Sequence, residues 1–139
     1  MKVLVVDDEK IISSALQRIL ARAGHEVKWT RKELVTGDVA LVLSSLVDHK
    51  AEAAWADAMR AKGVKVGFIG ITASKMPHLF QDHCDFIFNG EPEAAVIRLA
   101  KTGEIPSGIV VSEEIDDLDS LPYPRWDLVT EDRRRKVGI

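Results

Sequence analysis

Four short stretches carry the side chains with chemistry to offer: Asp7-Asp8-Glu9, Ser44-Ser45-Leu46, Gly70-Ile71-Thr72-Ala73-Ser74 and Asn89-Gly90-Glu91-Pro92-Glu93. Adjacent carboxylates such as Asp7 and Asp8 hold a divalent cation well only when further oxygen ligands join them, so they read as a solvated acidic loop with at most weak cation affinity. No metal centre is expected. Ser44, Ser45, Thr72 and Ser74 supply hydroxyls, while Gly70 and Gly90 let backbone approach a ligand closely. That mixture suits a large neutral or amide-rich ligand, and it contains no nucleophile paired with a base, so no catalytic residue is expected. Serines and glycines are also frequent in strand-to-helix turns, which leaves a purely structural reading of the same residues open.

The elements that must position these loops follow from the hydrophobic pattern. Short β-branched runs alternate with stretches of helical period, the pattern of a parallel sheet covered on both faces. The class is α/β: a doubly wound, mainly parallel, five-stranded Rossmann-like (flavodoxin-like) sheet. Strands are expected at Lys2 to Val6, His25 to Trp29, Asp38 to Leu43, Val64 to Ile69 and Asp85 to Phe88, with Ile109-Val110-Val111 as an extra edge strand. A helix from about Glu9 to Ala23 carries Ile12, Ala15, Leu16, Ile19 and Leu20 at i, i+3, i+4 spacing and stops at Gly24. Further helices are expected at Ala51 to Ala61 and Glu91 to Lys101, with a short helical or irregular stretch near Met76 to Gln81. In such a sheet ligands sit beyond the carboxyl ends of the strands, where all four loops lie, and convergence on one crevice is the expectation.

Composition narrows the function classes. The 139 residues are 46% hydrophobic, enough for one core, and the net charge of -3 leaves no electrostatic footprint for nucleic acid. The lone Cys84 has no internal partner for a disulfide and reads as a packed thiol in a reducing, cytoplasmic setting. The apolar run after Met1 is far shorter than the ~20 residues of a spanning helix, so no membrane association is expected. His25, His49, His78 and His83 read as ordinary surface or strand-end histidines. Residues 1–112 read as the domain, and 113–139 as an extended connector, because Pro122 and Pro124 flank Tyr123 and forbid regular helix there.

Two family resemblances attach to these residues. Val5-Val6-Asp7-Asp8-Glu9, Ala23-Gly24-His25-Glu26-Val27 and Ile71-Thr72-Ala73-Ser74 resemble a response-regulator receiver domain, in which paired acids bind magnesium beside a phosphoacceptor aspartate. Here the third strand ends in Leu43-Ser44-Ser45, and Asn89-Gly90 follows the fifth strand where a receiver has its lysine. This resemblance therefore implies a degenerate receiver acting as a protein-interaction module.

The second resemblance covers more of the chain. Ala23-Gly24-His25-Glu26-Val27, Ser44-Ser45-Leu46, Gly70, Asp85 to Glu93 and the run Ile115-Asp116-Asp117-Leu118-Asp119-Ser120-Leu121-Pro122-Tyr123-Pro124-Arg125-Trp126-Asp127-Leu128 are similar to the amino-terminal cobalamin-binding domain of cobalamin-dependent radical S-adenosylmethionine enzymes. It implies that Ser44, Ser45 and Leu46, with Gly70, Ile71, Thr72 and Ala73, line a slot for the nucleotide tail of cobalamin, bordered by Gly90 and Glu91. It also implies a methyltransferase-type parent enzyme, whose radical S-adenosylmethionine barrel, in cis or in trans, holds the [4Fe-4S] cluster and S-adenosylmethionine. With one cysteine this chain lacks the three thiolates such a cluster needs and is expected to be non-catalytic alone. A Rossmann-like docking scaffold without any ligand is a third reading.

Overall fold

The computed structural model describes residues 1–10 and 13–112; Ile12 and the expected connector 113–139 lie outside the described residues. The element order is β1 (Lys2–Val6), α1 (Ser14–Arg22), β2 (Glu26–Thr30), β3 (Val39–Leu43), α2 (His49–Ala61), β4 (Lys65–Ile69), α3 (Ile71–Lys75), β5 (Phe86–Asn89), α4 (Glu93–Thr102) and β6 (Gly108–Val111). Two single 3-10 turns, Pro77–Leu79 and Gln81–His83, link α3 to β5. Every strand pair is parallel and the sheet order is β2-β1-β3-β4-β5-β6. The first five strands follow the flavodoxin-like order, with the direction of winding reversing between β1 and β3.

Period-2 alternation within each strand divides the apolar residues between two layers. Val3, Val5, Val39, Leu41, Phe86 and Phe88 face α1 and α4, where Leu16, Leu20, Val96 and Leu99 close the layer. Leu4, Val6, Ala40, Val42, Phe68 and Ile87 face the other side, against Trp55, Ala56 and Met59 of α2 and against Phe80. Between β2 and β3 no helix forms. Residues 31–38 cross that face as an irregular segment, tied to α2 by the Trp55 indole N–H donating to the Glu33 carbonyl at 3.2 Å. Cys84 packs in this second layer, and burial pushes its thiol up to about 11. Gly67 is set by its neighbour: a Cβ there would lie 1.9 Å from the Phe86 ring.

The expected class and element order hold, with differences at the ends. To the five strands of the expected sheet the extra edge strand at Ile109-Val110-Val111 adds a sixth, β6, which pairs in register with β5 from Phe86↔Gly108 to Asn89↔Val111. The first helix is described from Ser14, not Glu9, and α4 begins at Glu93, because Pro92 stands at the position before its first turn. The stretch expected near Met76 to Gln81 forms the 3-10 turn Pro77–Leu79 and runs into the second, Gln81–His83, while α3 lies just before it in residues read as loop, too short for any periodic pattern to mark. Among the described residues no helix is long and apolar enough to cross a membrane.

Candidate functional site

The loops at the carboxyl ends of the strands form two depressions, not one. The first lies at the switch point between β1 and β3, a cavity of about 70 Å³ lined by Asp7, Asp8, Arg31, Lys32, Ser44, Ser45 and Glu52 among others. The second opens between the ends of β4 and β5, about 440 Å³, lined by Gly70, Ile71, Ser74, Lys75, Asn89, Gly90, Glu91 and Pro92.

At the switch point the charges are arranged in an uneven way. Glu52 sits in the first turn of α2 at 3% exposure, because its spacing to Trp55, Ala56 and Met59 places it on the buried side of the helix. Its carboxylate accepts the Ser45 backbone N–H at 2.9 Å and the Ser45 hydroxyl at 3.1 Å. That hydroxyl in turn accepts the Asp48 N–H at 3.2 Å. Asp7 is supported on one side only: burial pushes its carboxyl up to about 6 against the lowering effect of hydrogen bonds from the Glu9 and Asp8 backbone, and its Oδ2 is buried without a hydrogen-bond partner. Lys32 supplies the nearby positive charge, with its Nζ 3.9 Å from Asp8 and 3.8 Å from Asp48. Such half-solvated pairs stabilise little. Among the described residues no three histidine, cysteine, aspartate or glutamate side chains are placed to hold a metal ion.

The second depression is built by serine latches. Gly70 takes φ +101, a conformation that L side chains rarely adopt, and turns the chain from β4 directly into α3. The Ser74 hydroxyl donates to the Gly70 carbonyl and accepts the Gly90 N–H, both at 2.9 Å, while the Asn89 side-chain amide donates to the Ser74 carbonyl at 3.1 Å. The turn after β4 is thereby fastened to the end of β5. Ile71 projects outward at 76% exposure.

Ser44 forms the seam between the two depressions. Its hydroxyl donates to the Ile69 carbonyl at 2.7 Å and accepts the Ala73 N–H at 3.0 Å, joining the ends of β3 and β4. Leu43 and the Ser44 hydroxyl also lie 3.1 and 3.3 Å from where a Cβ at Gly70 would be. Of the expected binding residues, then, Ser44 and Ser45 lie with Asp7 and Asp8, whereas Gly70, Ile71, Gly90 and Glu91 lie together around the second depression. Ala73 is buried in the core, Thr72 is half-buried, and Leu46 is exposed on the loop before α2. Glu52, Lys32 and the Ser74 latch escape a reading by loops. The i, i+3, i+4 spacing of Glu52 with Trp55 and Ala56 is the available signal for the first.

Three of the four histidines lie in ordinary structural settings, and the fourth, His78, is exposed. The His25 ring pairs with the Ala100 carbonyl at 2.7 Å, His83 pairs with Asp57 at 2.9 Å, and His49 meets the edge of Phe80.

No protein-family model matches the chain, and no curated protein matches its sequence. Among solved structures, the regulatory domain of the master biofilm regulator CsgD is similar, with a TM-score of 0.60 and 14% identity, covering 79% of this chain and 92% of that one. At that identity the likeness shows the shared α/β fold.

Proposed function

We propose that the chain is a receiver-like regulatory module that acts by docking a protein partner and not by accepting a phosphoryl group. One observation carries this reading: the end of β3, where phosphoryl chemistry would need a carboxylate, presents the hydroxyl of Ser44, and that hydroxyl is already committed to Ile69 and Ala73. A serine hydroxyl is a weak nucleophile unless an adjacent base takes its proton, and both contacts of Ser44 are to backbone. At the end of β5, Asn89 spends its amide on the Ser74 carbonyl and brings no positive charge. The flavodoxin-like sheet and the likeness to a regulatory domain support the reading at the level of fold. The test is incubation with acetyl phosphate and magnesium followed by intact-mass measurement. No phosphoryl adduct is expected, and a hydroxylamine-sensitive adduct on an acidic residue would refute the proposal.

A second reading, cobalamin binding, is favoured by a separate observation. Gly70, Ile71, Gly90 and Glu91, which the resemblance to the cobalamin domain assigns to the cofactor, all border the open depression between β4 and β5. Bound cobalamin would supply a methyl-carrying centre to a radical S-adenosylmethionine barrel acting in cis or in trans. The fit is incomplete, because the Ser44 to Ala73 hydrogen bond closes the gap between the β3 and β4 loops where the nucleotide tail is expected. Gel filtration after mixing with hydroxocobalamin decides it: co-elution of the red chromophore supports this reading, and a colourless protein peak returns the depression to protein docking.

A further inference from the structure

The loop Ser45-Leu46-Val47-Asp48 exposes two large apolar side chains at the carboxyl edge of the sheet, Leu46 at 53% and Val47 at 93%. The Ser45 backbone N–H and hydroxyl both go to Glu52, and the Asp48 N–H goes to the same hydroxyl. One buried carboxylate therefore organises the whole loop and the entry into α2. We propose that Glu52 is a proton-operated latch on this loop: ionised, it holds Ser45 and through it Asp48; protonated, it loosens both and lets Leu46 and Val47 change position.

The chemistry of the contact supports a latch. Hydrogen bonds to an ionised acceptor are about twice as strong as neutral ones, so taking up one proton from solvent weakens the contacts without removing any atom. Burial raises the carboxyl of Glu52 above its ordinary range, with Ser45 and Lys32 lowering it and Asp48 raising it. The charged groups that share the cavity with Glu52 are Asp7 and Asp8 from the end of β1 and Arg31 and Lys32 from the segment after β2. Asp7, itself raised to about 6, titrates in the same cavity, so any test must separate the two carboxyls.

The test is carried out on the full chain without any partner, by following the side-chain carboxyl carbons and the backbone amides by NMR from pH 8 to pH 4. The Glu52 carboxyl should titrate above the ordinary carboxylate range, and the Ser45 and Asp48 amides should shift with the same midpoint. Below that midpoint, exchange of the Ser45 amide, corrected for its intrinsic rate, should be about tenfold faster. In Glu52→Gln these amide titrations should vanish, while in Asp7→Asn they should persist. Ser45→Ala provides an independent variant: the Asp48 amide should lose its titration, while the backbone amide at position 45 should keep it. Amides that stay flat across the Glu52 midpoint, or that titrate unchanged in Glu52→Gln, would overturn the proposal.

Discussion

The two depressions at the carboxyl edge of the sheet are built from different strand-end loops and differ in size and in charge. The one at the switch point is small, flanked by charge and closed over a buried carboxylate, whereas the one between β4 and β5 is wide and lined by Gly70, Ile71, Ser74, Asn89, Gly90 and Pro92, with Lys75 and Glu91 as its charged side chains. Switch points are where open α/β sheets ordinarily take their ligands. Here that place is filled from within by Glu52 and Ser45, and the open space has moved two strands along the sheet. A site filled by its own side chains is suited to holding a loop in place, while an open, weakly charged one with an exposed isoleucine is suited to docking.

The sharpest way to break this contrast is to cut the seam. Ser44→Val removes both bonds of the hydroxyl and leaves the Ala73 N–H without its partner, so unfolding in urea should show a loss of about 1–3 kcal/mol. Unchanged stability would mean that the two depressions are not held apart by Ser44. Asp7→Asn should act in the opposite direction. Because the folded state raises the Asp7 carboxyl to about 6 from an ordinary value near 3.8, the native protein binds this proton more readily than the unfolded chain. Stability should therefore rise as pH falls from 7 through 6 towards 4, and decline again as the group ionises. The asparagine variant should be more stable at pH 7 by about 1–2 kcal/mol, a figure reduced for the partial exposure of the group, and should lack that slope. Thermal melts of the two proteins at pH 5 and pH 7 measure both effects. The smallest change is expected on the open side, where Ile71→Ser should alter stability by less than about 0.5 kcal/mol, since the side chain is 76% exposed. A larger loss in the same melts would show that Ile71 packs and is not held out for a partner.

Much of this is legible in the sequence, for reasons that also mark its limits. The strands are short β-branched runs, and α1 carries Leu16, Ile19 and Leu20 on one side, so their identity is a local property that the pattern records. α3 is a single turn of five residues and has no period to read. The separation of the four loops into two depressions depends on the strand order β2-β1-β3-β4-β5-β6, which no local pattern contains. The hydroxyls of Ser44 and Ser74 stand out as chemistry, but their partners lie 25 and 16 residues away in sequence and satisfy backbone groups. Glu52 is hidden by its own type, since a carboxylate on an amphipathic helix is ordinarily solvated.

The claim that this edge does not accept phosphoryl groups is tested most directly by recording backbone amide spectra with magnesium and beryllofluoride, which mimics an acyl phosphate. The spectra are predicted to coincide with those of the free protein at Ser44, Ser45, Thr72 and Asn89. Saturable shifts at these amides together with Asp7 would contradict the account and assign a phosphoryl-binding function to the switch-point pocket.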